Sequence, residues 1–578
     1  MNNCSLVDDV IPWAREQLTR PGVTRVGHYA PFDLRMLKYV GIDVAGVEDT
    51  CVAAAILDEN RPSFGLNDLA ARYGLGTKSD DAMHLWMVQT IPELRGKKAT
   101  RKICAPWYWR VPHAQMDAYA RQDAVLTLGL YDKMRPEVTA GDRHGSLDAI
   151  YQLETDLLPL LLQMHMTGVR VDLPRAHRLV IDLTAQLDDL ARDWRRDYGD
   201  ANFRSADDLK PILDQLGVAY PLTPKTGKPS ITKKFLDDLD HPIGDRIREL
   251  RQLGHYRDTF VKSYVIDNCT EERDVIHGEF HALRRDGAGT VSGRFSSGGA
   301  LNLQNIPARD EKWAPIIRSL FRPMTDDQQW LKVDYSQIEY RFFAHYGGVR
   351  ASRLGVDSAM ERAYVDEPHV DFHQWVADTA HIPRRRAKNV NFCRLYGGGI
   401  GKIAETAGCT IEEATEFVSA YDQYVPEAKA LLKELESVAD RRGVIITWAG
   451  RRCRFPTNGQ LAARWGGGQP QGHADKYART YKALNALLQG SAADLNKRGM
   501  VALHKAGLTH HEDGTQLHLT VHDELDFSIP KGDAGTRRTS QIVEIMQDVG
   551  RLPSWDGRVM KVPVVAESTV GPNWGMTP

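Results

Sequence analysis

The chain has 578 residues, 42% of them hydrophobic and 26% charged, with a formal net charge of −2. That is ordinary globular composition at a length that calls for several domains, and no apolar run is long enough to offer a membrane span. Seven widely spread cysteines without a CxxC pair exclude a disulfide scaffold and a structural zinc site.

The opening MNNCSLVDDVIPWAREQ lacks the basic flank and apolar core of a signal peptide, so the cytoplasm is the expected compartment. Val23–Ile42 reads as a short strand, a turn at Ala30-Pro31, and a helix with Leu34, Met36, Leu37 and Val40 inward. Asp33 sits at the strand-to-helix edge. Met116–Asp123 reads as helix, which puts Tyr119 and Asp123 one turn apart on one face. Asp33, Tyr119 and Asp123 make a candidate acidic site, with solvated helix charge as the plainer alternative. Two metal ions need several carboxylates. Upstream of Asp33 the close acid pair is Asp8-Asp9, in a helix-like context rather than after a hydrophobic strand.

Tyr151–Asp172 carries Leu153, Leu157, Leu158, Leu160, Leu161 and Met164 at helical spacing, with Pro159 expected to kink it and Thr167-Gly168 to stop it. Pro174–Tyr198 is a second amphipathic helix. The loop Thr223–Pro229 is basic, and the helix Asp245–Val265 carries Arg246, Arg248, Arg251, Arg257 and Lys262. Two readings stand for this arm: a grip on a phosphate backbone, or a solvated helical face.

His277–Pro307 is rich in Gly, Ser, Thr, Asn and Gln around Arg294. It suits donors along a minor groove, where acceptors are shared by all base pairs, or an ordinary surface loop. Trp330–Gly348 reads as a buried strand ending in the carboxylate of Asp334, then a helix. Asp334 is either a helix cap or a metal ligand. In Ile382–Ile400, Arg384, Lys388, Phe392 and Tyr396 recur every four residues and share one helical stripe. Two cations and two aromatics on one stripe suit a nucleoside triphosphate; the alternative is a surface helix with an aromatic anchor. In Gln516–Pro530, Leu517, Leu519 and Val521 alternate with His518 and Thr520. A tight turn at His522-Asp523-Glu524 and a second strand follow. Adjacent carboxylates at a hairpin tip are unfavourable unless a cation offsets them, and that cation can be the one held by Asp334. Two magnesium ions about 4 Å apart between such acids activate a hydroxyl and stabilise a leaving pyrophosphate.

DYSQIEYR, RRRAKNVNFCRLYG and VHDEL resemble, in order, motifs A, B and C of the family A DNA polymerases, the relatives of bacterial DNA polymerase I. TVSGRFSS with NLQNIP, TWAGRRCRFP, NALLQGSAADLNK and VPVVAESTVGPNW extend the resemblance over residues 150–578. APFDLRML and YARQDA resemble the second and third motifs of DEDD-type 3′–5′ exonucleases, whose first motif, a strand with Asp-x-Glu, has no counterpart before Asp33.

The resemblance implies an α/β multidomain fold: a polymerase right hand with an antiparallel palm sheet and helical fingers and thumb, plus an incomplete ribonuclease H-like exonuclease domain. The expected division is 1–145 exonuclease-like, 146–276 thumb and linker, 277–345 palm, 346–480 fingers and 481–578 palm. By resemblance, Asp334 and Asp523 bridge two Mg²⁺ with Glu524 supporting, and Glu339 is the gate against a ribose 2′-OH. Arg384, Lys388 and His373 meet the triphosphate, with Lys388 also a proton donor to pyrophosphate. Phe392 packs on the sugar and Tyr396 closes the templating side. Arg294, Gln489 and His522, with Asn302 and Gln304 of NLQNIP, face the DNA. Asp33, Tyr119 and Asp123 belong to an impaired exonuclease-like site. Primer-template DNA and dNTPs are the expected partners, with a replication helicase, primase or single-strand-binding protein beside them, no membrane, and a bacteriophage origin in a host cytoplasm.

This sequence also departs from the pattern. Cys393-Arg394 replaces a small apolar pair, and Arg394 faces either solvent or a template phosphate. The loop from Arg294 to Asn302 is slightly longer. The helical arm lacks the insertion by which one phage relative recruits thioredoxin, so no such clamp is expected, and no 5′-nuclease region precedes Asp33. The alternatives are a single-subunit RNA polymerase, disfavoured by Glu339 in its DYSQIE context, and an inactive DNA-binding scaffold, disfavoured by retention of both Asp334 and Asp523. Where this family has Phe rather than Tyr at the place of Phe392, a missing 3′-OH on the nucleotide is strongly penalised. Phe392→Tyr is therefore expected to improve dideoxynucleotide use in a chain-termination assay; equal termination by both proteins refutes the assignment.

Overall fold

The computed structural model describes residues 5–223, 226–269, 274–286, 289–298, 301–308, 310–380, 383–395, 398–464 and 473–576. The N-terminal part opens with β1 (Arg25–Gly27), α1 (Ala30–Tyr39), β2 (Val47–Asp49) and α2 (Thr50–Leu57), and β1 and β2 pair in parallel. The turn expected at Ala30-Pro31 lies one residue earlier: Tyr29 takes the left-handed conformation and α1 begins at Ala30. The reason is Asp49. Its buried carboxylate accepts from the N–H of Tyr29 (3.1 Å), Ala30 (2.8 Å) and Cys51 (2.7 Å), so one side chain caps the starts of both helices. Then come α3 (Leu66–Arg72) and the long α4 (His113–Ala140), which carries Tyr119 and Asp123.

The next helix, α5 (Asp148–Thr167), buries Leu153, Leu157, Leu160 and Met164, and Pro159 lies inside it without ending it. Val52 of α2, Leu130 of α4 and Leu157 of α5 share one apolar cluster with Leu331 and Phe527 of the large sheet. The exonuclease-like part and the body of the protein therefore have a common core.

The helical arm follows as helices Leu173–Tyr198 and Pro242–His255, the latter passing into a π-helical stretch at Tyr256–Ile266. Four of its arginines have partners within the chain. Arg246 pairs with Asp197 at 2.7 Å, Arg248 with Asp237 at 3.1 Å and Arg257 with Asp258 at 2.7 Å. Arg251 donates to the carbonyls of Phe203 (2.8 Å) and Ile231 (2.9 Å).

The central sheet is built from β3 (Gln328–Tyr335), which leads into α6 (Ile338–Arg353), and from three later strands. After α7 (Phe372–Ala380), α8 (Arg384–Leu395) and α9 (Ala483–Lys505) come β4 (Gln516–Val521), β5 (Glu524–Pro530), α10 (Gly532–Asp548) and β6 (Ala566–Gly571). The order is β4-β5-β3-β6, with every neighbour antiparallel. Leu331, Val333, Leu525 and Phe527 join the core cluster shared with α9 and α10, whereas Trp330 on the alternate positions stacks on His518 and Trp574. Both faces are thus covered, and His518 is buried even though its place in an alternating strand suggested a polar, open face. Its ring is satisfied by Gly168 O at 2.8 Å and Ser528 Oγ at 2.7 Å.

Beneath the sheet lies a buried charge network. Glu154 of α5 pairs with Arg451 and, at 2.6 Å, with Lys497 of α9. Arg451 also reaches Asp494 of α9 at 2.6 Å, and Lys497 donates to Ala282 O at 2.7 Å. Two acids and two bases, none more than 5% exposed, balance one another. Removing one partner leaves a buried charge unmatched, which typically costs about 3–5 kcal/mol. Glu154→Ala is accordingly expected to lower the melting temperature of the full chain far more than the exposed-pair change Asp189→Ala; calorimetric scans of the two variants showing equal small shifts refute this.

Candidate active site

Strand register brings the chemistry together. Glu524 of β5 stands directly opposite Asp334 on one side of β3, and Glu567 of β6 stands opposite it on the other. Between β4 and β5 the two-residue turn is His522-Asp523, and the Tyr335 N–H donates to Asp523 O at 3.4 Å. Asp334 and Asp523, 189 positions apart in the chain, are therefore neighbours. His522 holds a left-handed backbone at φ +63°, a conformation that costs a non-glycine residue of order 1 kcal/mol and persists where surroundings impose it. Here Asn496 of α9 donates to His522 O at 3.1 Å and pins the turn.

Crowding of like charges sets the electrostatics. Burial first, then the carboxylates of Asp523 and Glu524, push Asp334 up to about 8. Burial, together with the Glu339 and Glu524 carboxylates, lifts Asp523 to about 6 against the pull of Arg294. Such a pair is short of positive charge. Among the described residues no cluster of three or more His, Cys, Asp or Glu forms a metal cage. Two hard carboxylates without such a cage fit Mg²⁺, which is commonly held by one or two carboxylates with the remaining positions left to water and substrate oxygens.

Glu524 is turned elsewhere. The Trp574 indole N–H donates to its Oε1 at 3.0 Å, Lys332 lies 3.5 Å away and Arg318 3.8 Å away, with Arg318 also 4.2 Å over the Trp574 ring. Glu339, in the first turn of α6, forms an ion pair with Arg294. The gate and minor-groove candidates are therefore bonded to one another.

On the facing helices Arg384 forks onto Asp371 at 2.8 and 2.6 Å, and Asp371 also accepts from the N–H of His373 and Gln374 to cap α7. Lys388, one turn beyond Arg384, is exposed, and no ion pair engages it among the described residues. Burial lowers His373 to about 4, so it is neutral at neutral pH. Its ring meets Asn391 Nδ2 at 3.1 Å and the edge of Tyr340 at 4.8 Å. The Phe392 and Arg394 side chains and Tyr396 lie outside the described residues.

Among the DNA-facing candidates, Gln304 donates to Thr520 O at 3.2 Å, and Asn302 Oδ1 is shut off from solvent without a hydrogen-bond donor. Gln489 is half-buried on α9, and His522 is exposed at the turn. The candidate site also depends on residues that sequence reasoning left out. Gln337 Oε1 accepts from Tyr364 Oη (3.1 Å) and Phe372 N (3.2 Å), tying the start of α6 to α7. Arg341, fully buried, donates to the carbonyls of Ser336, Pro368 and Pro563 at 2.6–2.7 Å. Both lie in the DYSQIEYR stretch, where a polar side chain on a buried helix was the available signal.

The N-terminal acids meet different company. Asp33 lies in the first turn of α1, exposed, with its carboxyl held above the ordinary range by partial desolvation and then by Asp123. Asp123 pairs with Lys78, whose ammonium sits 3.8 Å from the centre of the Tyr119 ring. Asp8 and Asp9 are exposed and bonded to Ser5, at 2.8 and 2.7 Å.

The central pair predicts a pH signature. Both carboxyls titrate above their ordinary value of 3.8 in the folded chain. Their contribution to stability is therefore complete at low pH and is lost as pH rises through about 6 and then about 8. In chelator, the melting temperature is expected to fall from pH 5 to pH 8, and Mg²⁺ at pH 8 to restore it. Asp334→Asn should flatten the profile; an unchanged slope in that variant refutes the assignment.

The sequence pattern described as DNA polymerase family A matches residues 174–576, and that described as 3′-5′ exonuclease matches residues 1–139. DNA polymerase DpoZ of Salmonella phage PMBT28 is 27% identical over 95% of this chain and 88% of its own. The DNA-directed DNA polymerase of Pseudomonas phage M6 is 30% identical over 92% of this chain and 84% of its own. DNA polymerase I of Bacillus subtilis is 28% identical over 93% of this chain but 56% of its own. The POL domain of Pol1 from M. smegmatis, solved in complex with DNA primer-template and dNTP, has the same fold, with a TM-score of 0.74, 24% identity, and coverage of 97% of this chain and 88% of that one. A pattern match over most of the length, on an antiparallel sheet that brings Asp334 and Asp523 together, identifies the chain as a member of DNA polymerase family A, a DNA-directed DNA polymerase related to those of bacteriophages.

Proposed function

We propose that the chain extends a primer 3′-OH on a DNA template in phage replication, with Asp334 and Asp523 holding two Mg²⁺ ions. The observation that carries this reading is the crowded carboxylate pair, Asp334 near the end of β3 and Asp523 in the turn before β5. When bound, the ions supply charge neutralisation for the attacking hydroxyl and the leaving pyrophosphate. The protein's own side chains do the rest. Arg384 and Lys388 bind the triphosphate, and neutral His373 donates an N–H to it. Arrival of the triphosphate competes with Asp371 for the Arg384 fork. Lys388, exposed and cationic, donates a proton to departing pyrophosphate.

Glu339 stands where the incoming sugar meets α6 and excludes a ribose 2′-OH, while Phe392 packs on that sugar and Tyr396 on the templating side. Its bond to Arg294 holds both side chains in readiness, and DNA exchanges that bond for base-edge contacts with Arg294, Asn302, Gln304, Gln489 and His522. Glu524 acts through position: Trp574, Lys332 and Arg318 hold it away from the pair, and it raises the demand for cations there. In this reading residues 146–276 form the thumb, 346–480 the fingers, and 277–345 with 481–578 the palm. The N-terminal domain contributes no 3′–5′ digestion, because Lys78 already pairs with Asp123.

Primer extension with dNTPs or rNTPs tests the reading. The wild-type chain is expected to extend with dNTPs and Mg²⁺ and to discriminate strongly against rNTPs. Asp523→Ala should lose extension by at least about 10³-fold, of the order seen when a principal electrostatic group is removed, yet keep primer-template affinity in a mobility-shift assay. Unchanged extension by that variant overturns the metal assignment, and equal use of rNTPs overturns the gate.

A further inference from the structure

The chain matches an exonuclease pattern at residues 1–139, and family enzymes of that kind use divalent metal at their acids. The residues here do not fit such a metal. Among the described residues no group of three or more His, Cys, Asp or Glu assembles in this domain. Asp49, the most buried acid nearby, is already filled by three backbone N–H groups. Asp8 and Asp9 are bonded to Ser5 on an exposed π-helical turn.

What stands at the acids instead is a cation of the chain itself. We infer that Lys78 is a resident counter-ion that neutralises the Asp33–Asp123 remnant and keeps a divalent metal out of it.

The placement is built rather than incidental. The Lys78 side chain is 9% exposed, against 33% for Asp123. A lysine that shielded needs its charge met, and it is met twice. Asp123 supplies an ion pair through Oδ1, an oxygen shut off from solvent that receives no other donor among the described residues. The face of Tyr119 lies 3.8 Å from the ammonium, well inside the range of cation–π attraction. Tyr108 supports that ring edge-on at 5.8 Å and is itself hydrogen-bonded to His84 at 2.7 Å.

The backbone of Lys78 is fixed as well. Asn67 on α3 accepts from Lys78 N at 3.1 Å and donates to Lys78 O at 2.9 Å. The loop returns from α3 through Gly74 and Gly76, both at positive φ, so the chain can double back and aim residue 78 at α4. Neighbouring His28 is kept neutral, lowered to about 4 by burial, and brings no competing charge.

A divalent ion entering here meets a tethered positive charge at close range and has two carboxylates to hold it. Ammonium-for-metal exchange leaves the fold intact, because the acids are still offset, but it removes the Lewis acid that hydrolysis requires.

The inference deepens the reading that this domain does not digest DNA, and metal binding tests it separately from activity. The probe is Mn²⁺ alone, titrated by electron paramagnetic resonance into full chain carrying Asp523→Ala, which weakens the polymerase site. With Lys78 intact, no Mn²⁺ is expected at the N-terminal acids. Lys78→Met is expected to gain a single weakly bound Mn²⁺ and to melt a few degrees lower without it, recovering when it is added. Lys78→Arg should behave as the parent. Adding Asp123→Asn to Lys78→Met should abolish the gained site, which locates it. Lys78→Gln serves the same purpose should the methionine variant not fold.

Failure of both Lys78→Met and Lys78→Gln to gain Mn²⁺ overturns the inference, as does binding at Asp123 with Lys78 present. Metal-dependent 3′ digestion by the unmodified chain overturns the reading of the domain instead, and the two results are read in separate assays.

Discussion

Two carboxylates brought close together in a half-buried cleft repel, and the palm is arranged to make them endure it. Asp334 ends β3 and Asp523 sits in the turn before β5, so their separation is set by strand register rather than by flexible side chains. A one-residue slip of β5 against β3 would send one of them to the other face. Register is held from below by Leu331, Val333, Leu525 and Phe527 on one face and by the Trp330, His518 and Trp574 stack on the other. The unusual backbone of His522 is pinned from α9. The free energy needed to keep the acids together comes from ordinary core packing, and bound cations recover part of it.

The same logic reaches beneath the sheet. Glu154, Arg451, Asp494 and Lys497 come from a helix that joins the N-terminal domain to the palm, from the turn at Thr447–Arg451, and from α9. A buried network of matched charges has few alternative geometries. It fixes α9, and α9 carries Asn496 against the hairpin. The motifs TWAGRRCRFP and NALLQGSAADLNK meet in this network. Much of what they encode is support for the catalytic turn rather than contact with substrate.

Part of this was legible in the chain. The strand that carries Asp334 near its end, the hairpin turn with Asp523, and a helix through Arg384 and Lys388 follow from periodicity and local chemistry and stand in the structure; the rest of the four-residue stripe, the Phe392 side chain and Tyr396, lies outside the described residues. Periodicity failed where burial is two-sided: β4 alternates apolar and polar residues, yet His518 and Thr520 are as buried as Leu519. In the helical arm composition left two readings open, a phosphate grip or a solvated face; the acids Asp197 and Asp237 that meet Arg246 and Arg248 lie on other segments, and sequence spacing cannot show pairs that only folding creates. Gln337 and Arg341 were hard to read for the same reason, since apart from the Ser336 carbonyl their partners lie 27–222 residues away.

The two acidic sites of this chain solve one electrostatic problem in opposite ways. Among the described residues no ion pair engages Asp334 or Asp523; Lys332 and Arg318 pair with Glu524, and Arg294 with Glu339. The deficit is left open, and under the proposed function an open deficit is what an exchangeable metal ion and a triphosphate would fill. At Asp123 the deficit is closed by Lys78, held by Asn67 and Tyr119. A tethered ammonium needs no metal supply and does not dissociate, but it offers no coordination sites to a water or a phosphate oxygen. Whether a cluster of acids becomes a reactive centre or a structural joint thus turns on where the compensating charge is attached. In this protein the acid at Asp123 has its compensating charge attached to the chain through Lys78.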